Sequence, residues 1–377
     1  MHRALFLLLL LFLALPGRAE ILLKDSCPAG FAAEKGVCRL DSPYRHLPPS
    51  AAPGVGGLRN ALPPVRDGFT AKQIDLGRYL FFDPLLSSTG AVSCAHCHQP
   101  EHGFSDPNPR SKGVLGSEVA RHAPSLWNVG MLGRLFRDGR AASLEEQMQG
   151  PLYAATEMGN DRTALIERLN GNAAYRALFA AAFPEAPAGI TPDRLYTALA
   201  AFESSLVSLN SRYDLYALGV ADTLSKQEMD GLNLFRSFVA RCAECHTPPL
   251  FTNQQIAVIG TPEPAGHPFD AGAEAVSHQP TQRGGFRVPS LRNIELTGPY
   301  EHSGVFPTLR EAVSFYNEGR GHAVPPGETL TLHWHIWDPK LSSGEIDSLV
   351  AFLHSLTDVS MMPARPDRVP SGLPVGR

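Results

Sequence analysis

The chain has 377 residues, 33 basic and 37 acidic, for a formal net charge of -4. That near balance excludes the strongly basic surface of a nucleic-acid binder and gives no reason to expect an anionic membrane partner. Thirty-three prolines and 34 glycines predict long irregular connections between modest helices rather than a tight bundle.

Met1-His2-Arg3 is a short positive region, and an almost unbroken apolar run follows from Ala4 to Pro16. Gly17-Arg18-Ala19 then presents small residues where a signal peptidase reads, so residues 1–19 are expected to be a signal peptide cleaved after Ala19. An uncleaved anchor is the competing reading, but the run is short for a bilayer and lacks a stop-transfer charge cluster. The mature protein is therefore expected in the periplasm, with no membrane span. Residues 20–66 read as a Pro/Gly-rich arm carrying Pro43, Pro48, Pro49, Pro53, Pro63 and Pro64. In an oxidising compartment its two cysteines, Cys27 and Cys38, are expected to form a disulfide of structural purpose.

A first helix is predicted from Thr70, where Gln73 three residues on completes a capping box, to Asp83-Pro84. Short helices are expected at Glu145–Met148 and Arg162–Leu169. A longer one over Pro192–Leu209 puts Leu195, Leu199, Phe202 and Leu206 on one face. Ser225 with Glu228 opens a helix carrying Leu232, Phe235 and Phe238, and Ser342 with Glu345 opens another burying Ile346, Leu349, Val350 and Leu353. Residues 359–377, again rich in Pro and Gly, are expected to be a flexible tail. No alternating segment is long enough for a substantial sheet, so the fold class is mainly α.

Cys94-Ala95-His96-Cys97-His98 and Cys242-Ala243-Glu244-Cys245-His246 carry the chemistry. In Cys-x-x-Cys-His the two thiols bond one porphyrin edge and the adjacent His becomes the proximal iron ligand. Zinc would need two Cys pairs converging on one tetrahedral site and would not require a His after each second Cys. A redox dithiol would need a thioredoxin-like βαβ context that neither motif has. Two covalently bound haem c groups are the reading, with His98 and His246 on iron.

Several segments then resemble the bacterial di-haem cytochrome c peroxidase and MauG family. They are Leu80-Phe81-Phe82-Asp83-Pro84, the run Asp138 to Gln147, Glu157-Met158-Gly159, Val288 to Ile294, Thr297-Gly298-Pro299-Tyr300 with His302, and Thr308-Leu309 with Glu311-Ala312-Val313. They fall in the family's order over roughly residues 67–358. The resemblance implies two cytochrome c-like haem domains, a peroxide-reactive one over 67–215 and an electron-storing one over 216–358. It implies hydrogen peroxide as substrate, Glu157 as the distal acid–base group, and Gln147 beside it. Heterolysis of H2O2 needs a proton moved from the inner to the outer oxygen, which a distal carboxyl can do. The sixth ligand of the second haem is expected fourteen residues after His302, at Tyr316. A phenolate favours ferric and higher states, as in MauG-like members, whereas a core tyrosine packed on Phe315 is the alternative.

Three positions depart from the family. Arg137 stands where the family keeps Trp between the haems, leaving Trp127 and Tyr300 as candidate relays. His122 replaces an Asn that helps bind an inter-haem calcium. The carbonyls of Thr297 and Pro299 remain, but calcium takes an all-oxygen shell, so a Ca2+ stays an open question. No histidine lies between Pro107 and Ala120, so the reactive haem is expected to need no displacement of a distal ligand. The function implied is a MauG-like peroxidase that forms a high-valent haem state and oxidises a periplasmic protein partner. A cytochrome c peroxidase drawing on a small redox protein, or a di-haem electron carrier, are the alternatives.

Overall fold

The computed structural model describes residues 21–46, 62–185, 187–319, 321–335 and 337–376. The expected signal peptide and residues 20 and 47–61 of the proline-rich arm lie outside the described residues. What is described is mainly helical, with two two-stranded antiparallel ribbons, Phe31–Glu34 with Val37–Leu40 and Ile256–Val258 with Gly285–Arg287. Among the described residues no helix is long and apolar enough to cross a membrane.

Two helix crossings organise the molecule, and they repeat one another. Helix Ala71–Phe82 crosses helix Pro192–Ser204, and helix Lys226–Phe235 crosses helix Ser343–His354. Each crossing turns on a glycine. A Cβ on Gly77 would lie 1.9 Å from the Ala198 carbonyl oxygen, and one on Gly231 would lie 1.9 Å from that of Ser348. The backbones are too close for any side chain there. Four residues beyond each glycine, Phe81 packs on Phe202 with centroids 5.1 Å apart, and Phe235 packs on Phe352 at 5.0 Å. A third ring completes each trio, Phe104 against Phe81 at 6.1 Å and Phe251 against Phe235 at 5.9 Å. Two main apolar cores follow, one centred on Leu76, Phe81, Phe104 and Leu199, the other on Leu232, Phe235, Phe251 and Phe352.

The capping boxes form where the sequence predicts them. Gln73 Oε1 accepts the Thr70 N–H at 3.0 Å, Glu228 Oε2 that of Ser225 at 2.7 Å, and Glu345 Oε2 that of Ser342 at 2.8 Å. The helix predicted to reach Leu209 stops at Ser204. Beyond it the chain extends, because the Asn128 N–H donates to the Leu206 carbonyl (2.7 Å) and the Ser208 N–H to Asn128 Oδ1 (2.9 Å). Phe238, expected on the apolar face of the Ser225 helix, instead lies beyond that helix and is 86% exposed.

The described parts of the arm and of the tail are more tied down than their composition suggests. Cys27 and Cys38 are disulfide-bonded, closing the first ribbon. Tyr44 is buried and donates to Asp214, a carboxylate that also takes the buried Arg292 guanidinium. That hydrogen-bond demand holds the arm up to this point in place. Residues 359–376, expected as a flexible tail, run back along the N-terminal half. Val369 is buried, the Ser371 hydroxyl donates to Asp83 Oδ1 at 2.6 Å, and the Gly376 N–H donates to the Phe82 carbonyl at 2.8 Å. The Phe82 carbonyl, past the reach of the first helix's own hydrogen bonds, and the Asp83 carboxylate, which also accepts from Leu85 and Tyr175, supply these partners.

Candidate haem sites

Each Cys-x-x-Cys-His forms a single helical turn, Cys94–Cys97 and Cys242–Cys245, bringing both thiols of a motif together beside its histidine. The histidine after each turn is oriented by a backbone carbonyl. His98 Nδ1 donates to the Phe104 carbonyl at 2.9 Å, and His246 Nδ1 to those of Phe251 at 3.0 Å and Pro289 at 3.1 Å. Both phenylalanines sit at φ +56°, which turns the carbonyl back to the imidazole while the ring stays in its aromatic trio. With Nδ1 protonated and engaged, Nε2 is the nitrogen available to a metal, as in metal-ligating histidines generally. Burial holds both imidazoles below their ordinary pKa, hence neutral and ligand-competent.

A large cavity opens beside the second motif. Its wall includes Cys242, Cys245, His246, Phe235, Leu349 and Tyr316. The Tyr316 hydroxyl donates to Glu301 Oε1 at 3.2 Å. Burial, followed by the neighbouring Glu301 charge, pushes the phenol well above its ordinary pKa. The same cavity reaches toward the first half, where Trp127, His122 and Arg137 line it. Trp127 is buried, its indole N–H has no partner among the described residues, and its ring meets Phe104 edge-on at 5.2 Å. An unpartnered donor, two thiols, a preset imidazole and an apolar wall fit a haem. Tyr300, the other aromatic considered between the halves, is committed through its hydroxyl to the Ile294 carbonyl at 3.1 Å.

At the first motif, Glu157 lies close enough to Cys97 for its charge to help raise that already buried thiol. Burial pushes the Glu157 carboxyl above the usual carboxylate range, with Arg140 opposing. The loop before it is clamped on. The Val114 N–H donates to the Glu157 carbonyl at 2.8 Å, and a Cβ on Gly113 would lie 2.0 Å from the Thr156 carbonyl. Gln147 ends the helix Leu144–Gln147 half-buried, and no hydrogen bond joins its amide to Glu157 among the described residues.

Two buried carboxyls escaped the sequence reading. Glu301 faces the cavity between Tyr316 and Arg137, at φ +71°. Glu203 lies in the helix Pro192–Ser204, close enough to Cys94 for its charge to act on that thiol, with one carboxyl oxygen unpartnered among the described residues. Burial, with the Glu145 charge, raises it to about 8. A signal for Glu203 was present: it falls four residues after Leu199, on the apolar face of its helix.

A profile of the family described as "Di-haem cytochrome c peroxidase" matches residues 71–222. The chain is 35% identical over 295 residues to "Methylamine utilization protein MauG" of Methylorubrum extorquens, covering 78% of this chain and 80% of that one. The chain belongs to the di-haem cytochrome c peroxidase and MauG family. Members of both kinds are similar to it: "Cytochrome c551 peroxidase" of Nitrosomonas europaea is 32% identical over 311 residues, 81% of this chain and 87% of that one. Among solved structures, a "MauG-like protein associated with microbial copper homeostasis" superposes with a TM-score of 0.75 at 33% identity, over 81% of this chain and 97% of that one. The di-haem peroxidase BthA of Burkholderia thailandensis gives 0.67 at 28%, over 94% and 97%. This di-haem peroxidase therefore takes two haems and acts on hydrogen peroxide.

Proposed function

We propose that this di-haem peroxidase is a periplasmic, MauG-like oxidase. Its haems are attached through Cys94 with Cys97 and through Cys242 with Cys245, and it uses H2O2 to oxidise residues of a partner protein. The observation that carries the reading is Tyr316 lining one cavity with His246, its hydroxyl 3.2 Å from Glu301. A tyrosine ligand lowers a haem's reduction potential and favours its oxidised states, which suits storage of an oxidising equivalent rather than uptake of an electron from a small cytochrome. The similarity to MauG and to the copper-associated MauG-like structure supports the same choice.

The haems supply the redox chemistry with peroxide. Glu157 supplies the proton movement. Burial raises its pKa above that of an exposed glutamate, so its carboxylate is a stronger base toward the inner peroxide proton and its acid form can deliver one to the departing oxygen. His98, fixed on Phe104, and His246, fixed on Phe251 and Pro289, hold their rings in one orientation each.

Arg137, an unoxidisable group where the family keeps a Trp relay, favours a second reading: a peroxidase whose haems act less closely together. Titrating the fully ferric protein with one equivalent of H2O2 separates them. Rapid loss of both ferric EPR signals without added reductant is expected. Reaction only after the second haem is reduced would replace the reading with a cytochrome c peroxidase. Silence in both states would leave a di-haem electron carrier.

A further inference from the structure

The two departures from the family between the haem sites touch each other. Arg137 Nη2 donates to His122 Nδ1 at 3.1 Å, and Arg137 Nε donates to the His122 carbonyl at 3.2 Å. On its far side His122 Nε2 donates to the Asp106 carbonyl at 2.8 Å, so both ring nitrogens are committed and the imidazole is neutral. Burial, then the Arg137 charge, lowers His122 to about 4, consistent with that tautomer. Burial also lowers Arg137, to about 10, which leaves it charged at neutral pH.

This cation sits on the seam between the halves. The Arg287 N–H donates to the Arg137 carbonyl at 2.7 Å, and the His122 N–H to that of His302 at 2.8 Å. Thr297 and Pro299, whose carbonyls the family would give to calcium, line the same cavity as Arg137 and His122. Calcium takes six to eight oxygen ligands. His122 can offer only nitrogen. The nearby carboxylates are already engaged: Asp138 and Asp270 bond Arg121, Glu263 bonds Arg110 and lies 2.7 Å from His302 Nε2, and Glu301 accepts from Tyr316. Arg287, buried alongside, adds a further positive charge. The residues present do not fit a calcium ion.

We propose that the Arg137 guanidinium, docked on His122, is the resident cation between the two haem sites, so that this chain dispenses with the family's inter-haem calcium. A tethered guanidinium supplies positive charge and cross-half hydrogen bonding without a dissociable ion. The inference is independent of which partner the enzyme oxidises.

The test uses the haem-loaded protein dialysed against EGTA and then returned to millimolar calcium. The optical and EPR spectra of both haems and the melting temperature are expected to stay unchanged throughout, with no stoichiometric calcium by elemental analysis. A spectral shift or a lowered melting temperature on chelation, reversed by calcium, would overturn the proposal. The double variant His122→Asn with Arg137→Trp restores an oxygen donor and removes the guanidinium. It is expected to acquire a calcium-dependent rise in melting temperature that the wild type lacks. A folded double variant indifferent to calcium would show that these two residues are not what excludes the ion, and would likewise overturn it. The wild-type chelation result decides the matter on its own where the double variant does not fold.

Discussion

The Tyr316 hydroxyl donates to Glu301 across the cavity that His246 also lines, 3.2 Å from the carboxylate oxygen. A phenol beside a carboxylate has a ready acceptor for the proton it must lose to bind iron. Tyr316→Phe is therefore expected to change the optical and EPR signature of one haem and leave the other as it was. An unaltered pair of spectra would remove Tyr316 from the iron.

If Glu157 is the acid–base group proposed above, Glu157→Gln keeps the shape of its side chain and removes its proton exchange. Both haems should remain attached, while the second-order rate of reaction with H2O2 falls by about a hundredfold or more, the usual worth of a general acid–base group. Stopped-flow absorbance gives the rate directly. Kinetics equal to wild type would end the assignment.

Glu203 makes stability fall as pH rises. Its carboxyl keeps its proton up to about pH 8 when folded, whereas an unfolded chain releases it in the ordinary carboxylate range. The favourable contribution is therefore complete below that range and lost as pH climbs toward 8, with a limiting slope of about 1.4 kcal/mol per pH unit for one proton. Glu203→Gln is expected to remove this part of the slope in urea midpoints measured from pH 4 to 9. A variant with the wild-type slope would show that another group is responsible.

The paired crossings predict a contrast among glycines. Gly77→Ala puts a methyl into the Ala198 carbonyl and Gly231→Ala puts one into that of Ser348, so each should cost about 1–3 kcal/mol or more. Gly171→Ala, where nothing lies within 4 Å of the added carbon, should be neutral or slightly stabilising. Thermal melts of the three variants test this. Equal melting temperatures would mean that the helices separate without penalty.

The sequence is most legible where chemistry forces adjacency. Cys-x-x-Cys-His must be contiguous to hold a haem, and Thr70 with Gln73 must be three apart to cap a helix, so both can be read without a fold. Arg137 and His122 are a different case. Each appears alone as a missing family residue, and only folding reveals them as one hydrogen-bonded unit. Glu301 is hidden similarly, since neighbouring spacing does not say that a carboxyl turns inward at φ +71°. The tail misled because Pro and Gly signal irregular backbone, which is not the same as loose backbone. Ser371 and Gly376 are held by partners about 290 residues away in the chain, beyond the reach of any local pattern.

That tail has a bearing on how the protein is assembled. The Ser371 hydroxyl and the Gly376 N–H close onto Asp83 and Phe82, and a Cβ on Gly376 would collide with Ser93, the residue before the first haem motif. The segment that packs beside the first Cys-x-x-Cys-His is thus made after both motifs. Cys94 and Cys97 lie about 280 residues before the segment that packs beside them. The first half of the chain to be made is therefore the last to have its packing completed.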